Sequence, residues 1–348
     1  MSDAITRFRD GGVIPAHPLA LDAGRRLDER RQRALSRYYI ESGSLGLAVG
    51  VHTTQFELHS THRDLFAPVL ALAADTAAEY GAGAPLLVAG VAGGVEQAVT
   101  EARIAAEAGY DFVLLTPYGA TDATDDELVE RAVRVAEVLP VIGFYLQAAI
   151  GGRRLGAGFW RRFAEVPGVI GVKIAPFDRY ATLEVARGVA ASGRSDVALY
   201  TGNDDSIVVD LMSRLPGRGP DESPVALPIV GGLLGQWAVW TRQAVSVHAR
   251  ARRAQAGDHA ERGDLARLAP VLTDANGAIF DVANRFAGCV PGIHEVLRRQ
   301  GLLAGTWCLD ERESLSPGQS EEISRVIAAY PELHDDEFVA AHRDRWLS

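Results

Sequence analysis

Residues 141–146, VIGFYL, and 169–174, VIGVKI, decide the fold. Both are almost unbroken apolar runs, the texture expected of strands covered on both faces in a parallel sheet. The same texture occurs at 86–91 (LLVAGV) and 112–116 (FVLLT). Working outward adds 12–16, 45–49, 197–201 and 225–230, which makes eight predicted strands. One-sided helical patterns lie between them, with Leu27, Ala34, Leu35, Tyr38 and Tyr39 on one face and Leu128, Ala132, Val135, Ala136 and Leu139 on another. Thr124 and Glu127 have capping-box spacing, and Pro140 closes that helix before the next strand.

Eight strand–helix units predict an α/β protein, a closed (β/α)8 TIM barrel with a helical C-terminal extension. No glycine-rich nucleotide fingerprint follows the first strand, which weighs against an open doubly wound sheet. The stretch 215–224, LPGRGPDESP, reads as an extended loop before the eighth strand. After Trp237 the strands stop and helical segments are expected at 238–256, 259–273, 277–286 and 293–301. Ser316, Pro317 and Gln319 mark one further helix start. The expected division is therefore a barrel over 8–237 and a helical region over 238–348 packed on it.

The chain has 348 residues, 47% hydrophobic and 23% charged, ample material for a globular core. Its net charge of −10 excludes a broad attraction to nucleic acid phosphates. No apolar run approaches the ~20 residues of a membrane helix, and MSDAITRFRDGG has no secretory pattern, so the cytoplasm is the expected location. Cys289 and Cys308 form no CxxC and have no histidine at ligand spacing, so neither a disulfide framework nor a metal site is expected.

Among 35 basic residues only one, Lys173, is a lysine. Guanidinium stays protonated and makes no useful imine, whereas a desolvated lysine amine can attack a carbonyl. Lys173 sits in GVIGVKIAPF, where apolar neighbours disfavour the charged form and lower its pKa. In barrels, reactive groups come from the C-terminal ends of the strands. The residues just past or at the predicted ends are His17; His52, Thr53 and Thr54; Tyr118; Tyr145 and Gln147; Lys173; Asn203 and Asp204; and Gly231. Blander roles compete for several of them. Tyr145 can be a core tyrosine, the threonines can cap a helix, His17 and His52 can be local hydrogen-bonding residues, and Asp204 and Asp205 can open a helix.

With VIPAHPLAL at the first strand, HTTQFE after the second, LLTPYG, VIGFYL, GVIGVKIA and TGNDD in order, the chain resembles the dihydrodipicolinate synthase and N-acetylneuraminate lyase superfamily over roughly residues 10 to 300. The spacing of Tyr145 and Lys173 is the most specific part. The resemblance implies an imine between Lys173 and a pyruvate-like 2-oxo acid, with Tyr145 shuttling protons and Thr53 and Thr54 holding the substrate carboxylate. His17, His52, Tyr118, Gln147, Asn203 and Gly231 are expected to line the site. It also implies no organic cofactor or metal, an aldehyde as the second small-molecule partner, and a homodimer or homotetramer.

Departures from the family pattern bear on substrate. Gln55 and Phe56 stand where glycine and glutamate usually follow the threonines, and Gly119 replaces a relay tyrosine. Leu146, Gln147, Ala148, Ala149 and Ile150 supply no arginine for a second carboxylate unless Arg153 or Arg154 reaches in. These changes argue against lysine biosynthesis and for a less charged, aliphatic or aromatic partner. The expected activity is an imine-forming aldolase or lyase. An imine-dependent dehydratase and a barrel retained as a ligand sensor are the alternatives, while a metal-dependent aldolase would have only His17, His52 and Asp204 as ligands.

Overall fold

A computed structural model describes residues 3–60 and 64–348. Eight parallel strands form the barrel: β1 (Val13–Pro15), β2 (Gly46–Val49), β3 (Leu86–Val91), β4 (Phe112–Leu115), β5 (Val141–Leu146), β6 (Val169–Ala175), β7 (Ala198–Thr201) and β9 (Pro224–Leu234). All eight overlap the predicted strands. The hydrogen-bonded order is β1-β9-β7-β6-β5-β4-β3-β2. The ring closes between β1 and β2 through a parallel bridge of Ala16 with Ala48, where the His17 N–H donates to the Ala48 carbonyl at 2.8 Å.

Two apolar layers follow from strand alternation. Inside the barrel lie Ile14, Val88, Phe112, Ile142, Phe144 and Tyr200. Outside, Val49, Val113, Tyr145 and Val172 meet the surrounding helices in a layer that continues to Ile323, Val339 and Trp346 of the C-terminal extension. The helix Asp3–Asp10, which the sequence pattern does not announce, plugs the inner layer. Its Phe8 stacks on Tyr200 at 4.5 Å, and the Tyr200 hydroxyl donates to the Phe8 carbonyl at 2.6 Å.

Three expectations need correction. The stretch 215–224 is largely not a loop: β8 (Arg214–Arg218) pairs antiparallel with the start of β9, Arg218 opposite Pro224. Pro216, Pro224 and Pro228 are tolerated because this ribbon is an edge, where a missing N–H costs no central ladder bond. Second, His259–Ile279 is one continuous helix, with Pro270 inside it, rather than two segments parting near 273–277. Leu272, Ala275, Ala278 and Ile279 are buried, and this packing outweighs the weak helix propensity of Gly277. Residues 280–288 then leave the helix through a short 3-10 turn, Val282–Asn284. Third, a last helix, Asp336–Trp346, was not foreseen. It docks on helix Glu29–Glu41, where the Tyr38 hydroxyl donates to Asp335 at 2.9 Å.

Helix Thr241–Gln255 follows β9 and completes the strand–helix count. Among the described residues, no helix is long and apolar enough to cross a membrane.

Candidate active site

Parallel pairing decides what faces the barrel interior beside Lys173. In the β5–β6 register Phe144 pairs with Lys173 and Leu146 with Ala175, while Tyr145 pairs with Ile174. Paired residues share a face, so Lys173, Phe144, Leu146 and Ala175 all line one cavity at the C-terminal ends of the strands. The Lys173 amine lies 4.1 Å from the Phe144 ring centroid, over its face. Lys173 is 6% exposed. Burial pulls its ammonium well below the ordinary lysine range, and the nearby Asp204 carboxylate opposes that shift.

Tyr145 is not in this cavity. It points into the layer outside the barrel, 5.3 Å from the Trp160 ring, and its hydroxyl accepts from the Leu155 N–H at 3.1 Å. The spacing that suggested a tyrosine–lysine pair is offset by one residue in the sheet. A register irregularity between Val141 and Ile142 accompanies the offset.

The two threonines have separate fates. Thr53 lines the cavity, is 2% exposed, and its Oγ1 has no hydrogen-bond partner among the described residues. Thr54 is consumed by its own turn. Its Oγ1 accepts from the N–H groups of Gly50 and Val51 at 3.0 and 3.2 Å and donates to the His17 carbonyl at 2.7 Å. The Thr54 N–H is also taken, by the Val51 carbonyl. Gln55, where the family pattern has glycine, adopts φ 72°, a positive φ that is strained for glutamine and free of cost only for glycine. Its side-chain oxygen accepts from the Leu309 N–H, tying this loop to the C-terminal extension.

The remaining expected residues divide in the same way. His52 and Gln147 line the cavity. Burial, with the Lys173 charge, pushes His52 down to about 4, so it is neutral. His17 does not reach the cavity. Its ring nitrogens meet the Pro18 carbonyl at 2.8 Å and the Ser36 hydroxyl at 2.9 Å, fastening β1 to helix Glu29–Glu41. Tyr118 stacks on Phe56 at 4.3 Å and is not part of the cavity wall. Asn203 is a positioning residue: its side-chain oxygen accepts from Phe177 N–H at 3.0 Å, and its amide donates to Thr182 and Asp210. Gly231 lies in mid-strand, where a Cβ would come within 2.3 Å of the Gly12 carbonyl, so its role is close packing of β1 on β9.

The residues that sequence reasoning passed over supply most of the wall. Phe177 caps the loop after β6 at φ 53°, and its ring meets Phe286 edge-on at 5.8 Å. Phe280 and Phe286 come from the turn between two C-terminal helices, and Cys289 and Ile293 from helix Cys289–Arg299. A larger groove, lined by Gln147, Ala149, Phe177, Phe280 and Phe286 among others, continues from the cavity to the surface. Asp204, read first as a helix opener, is 8% exposed and lines the cavity. Burial pushes its carboxyl up, against a hydrogen bond from the Gln236 N–H at 2.9 Å and the Lys173 charge, which hold it down. Among the described residues, no arginine contributes to the wall. Arg153 is paired with Asp125 and Arg154 is exposed.

Barrel, rim and buried amine define a (β/α)8 protein whose cavity is built around one lysine. The sequence profile of the dihydrodipicolinate synthetase family matches residues 9–216, and the chain belongs to that family. It is 32% identical over 204 residues to a probable 5-dehydro-4-deoxyglucarate dehydratase of Streptomyces coelicolor, a match covering 58% of this chain and 55% of the relative. The chain thus spans about half the length of that relative. It is 27% identical over 221 residues to a 4-hydroxy-tetrahydrodipicolinate synthase of Halorhodospira halophila, covering 62% and 69%. N-acetylneuraminate lyase from Fusobacterium nucleatum shares the fold with a TM-score of 0.72 at 17% identity, over 93% of this chain and 99% of that one.

Proposed function

We propose that this chain is a Schiff-base lyase that acts on a monocarboxylic, pyruvate-like 2-oxo acid carrying or receiving an apolar group. The observation that carries this reading is the placement of the chain's one lysine, buried, with a lowered pKa, at a cavity on the strand-end rim. A neutral amine there can add to a 2-oxo group, lose water and leave an iminium that serves as the electron sink. Thr53, buried with an unpartnered hydroxyl, is suited to donate to the substrate carboxylate, and His52 to pack beside it as a neutral imidazole.

The substrate class follows from the wall. Among the described residues Lys173 is the one cationic side chain lining the cavity, and it is committed to the imine, so a second carboxylate would find no counter-charge there. Phe144, Leu146, Ile150, Phe177 and Phe286 instead offer apolar surface leading into the outer groove. A dehydratase using the same imine is the second reading, favoured by the similarity to the Streptomyces coelicolor relative. We also propose a homodimer or homotetramer as the working state.

The test is a panel of 2-oxo acids, each incubated with the protein and reduced with borohydride, with adducts read by intact mass. Monocarboxylic acids with aliphatic or aromatic tails should be trapped. A consistent preference for dicarboxylic members would contradict the substrate class, and analysis of products separates bond cleavage from dehydration.

A further inference from the structure

Condensation or elimination through an imine on Lys173 requires removal of a proton at C3, and cleavage requires a proton to be delivered there, yet Tyr145 lies outside the cavity. Building on the imine reading above, we propose that Asp204 removes the C3 proton from the Lys173 iminium and returns it. Asp204 is the one carboxylate among the described residues that line the cavity. Its position is fixed from two sides, by the Gln236 N–H at 2.9 Å on one carboxylate oxygen and by the Asn276 amide at 2.6 Å on its main-chain carbonyl. The turn that delivers it wraps the end of the lysine. A Cβ on Gly202 would lie 2.7 Å from Lys173 Cε, and Asn203 anchors the same turn to Asp210 and Thr182.

The step balances without a further reactant. The C3–H bond breaks and its electron pair becomes the C2=C3 bond. The C2=N π pair moves onto the Lys173 nitrogen to give a neutral enamine, and the proton passes to the Asp204 oxygen not held by Gln236. Reversal returns the proton, and the water lost in imine formation is recovered on hydrolysis.

His52 is the competing base in the cavity. The iminium charge on Lys173 lowers the pKa of both groups, but it holds Asp204 as its paired carboxylate, whereas protonating His52 would create a second cation in the same cavity. Burial works in the same sense, since it makes Asp204 a stronger base than an exposed aspartate and His52 a weaker one than an exposed histidine. The other titratable groups acting on Asp204 are Lys173 from β6, the adjacent Asp205, and Cys289 from helix Cys289–Arg299.

Exchange of C3 protons in deuterated water, followed by proton NMR on pyruvate and on a 2-oxo acid with an aliphatic tail, tests the assignment. Borohydride adducts on Lys173 are measured in parallel. Asp204→Asn should slow exchange by about 10²- to 10⁴-fold while the adduct still forms, the range for loss of a general base. Asp204→Ala, the second variant, should lose exchange and regain part of it with added formate. Exchange in Asp204→Asn within about threefold of wild type overturns the assignment, as does loss of exchange in His52→Gln while Asp204→Asn retains it, or an Asp204→Ala exchange rate that formate does not change. A wild type with no adduct overturns the imine reading and this assignment together, whereas adducts in every protein with exchange unaffected by Asp204→Asn overturn the assignment alone.

Discussion

Lys173 and Phe144 are register partners on adjacent strands, with the lysine amine 4.1 Å from the centre of the phenylalanine ring. The ring shields the amine from water, and shielding lowers the pKa of a lysine. Phe144→Ala should therefore admit water and raise the Lys173 pKa. The pH profile for the initial rate of imine trapping would move to higher pH, whereas an unchanged profile would show that the ring does not control the amine.

The sign of the pH dependence in the parent protein follows from the same burial. Only the neutral amine attacks, so trapping should speed up as pH rises and Lys173 loses its proton near pH 8. Asp204 raises the Lys173 pKa electrostatically, so Asp204→Asn should shift this rise to lower pH. A shift to higher pH would contradict the placement of the two groups.

Tyr145→Phe deletes a hydroxyl that accepts from the Leu155 N–H in the outer layer. The expected cost is about 1 kcal/mol of stability, read by denaturant unfolding, with trapping on Lys173 within about twofold of wild type. A hundredfold loss of trapping in a folded variant would return Tyr145 to the chemistry.

The threonines should separate by phenotype. Thr53→Val removes the unpartnered cavity hydroxyl and should raise the 2-oxo acid concentration needed for half-maximal trapping about tenfold, the loss of one hydrogen bond to a charged group. Thr54→Val strips two backbone N–H groups and one carbonyl of their partner and should cost about 1–3 kcal/mol of stability.

Gly202→Ala places a methyl group 2.7 Å from both Lys173 Cε and the Ala175 Cβ. The flexible lysine stem gives way first, so trapping should fall about 100-fold in a folded protein, the scale of an ångström-sized misplacement. Near-wild-type trapping would mean that the turn does not position the amine.

The barrel was legible because its buried parallel strands are nearly continuous apolar runs, and such runs survive without alignment to any relative. For the same reason the facing of Tyr145 was not. With both faces of β5 apolar, VIGFYL has no polar alternation to say whether Phe144 or Tyr145 turns inward, and the irregularity at Val141 and Ile142 leaves no trace in composition. The apolar character of the wall could be read from Leu146 and Ile150, but Phe280, Phe286, Cys289 and Ile293 arrive from a turn and a helix far along the chain. The ribbon at 214–228 was hidden by its prolines and glycines, which look alike in a loop and in an edge hairpin.

The central claim is that Lys173 forms the covalent intermediate. Borohydride reduction in the presence of pyruvate and a set of 2-oxo acids with apolar tails, followed by peptide mass mapping, tests it most directly. The account predicts a reduced-imine mass on the peptide containing Lys173, absent from a folded Lys173→Arg variant. A folded wild-type protein with no adduct from any of these acids, or an adduct that persists in Lys173→Arg, would contradict it.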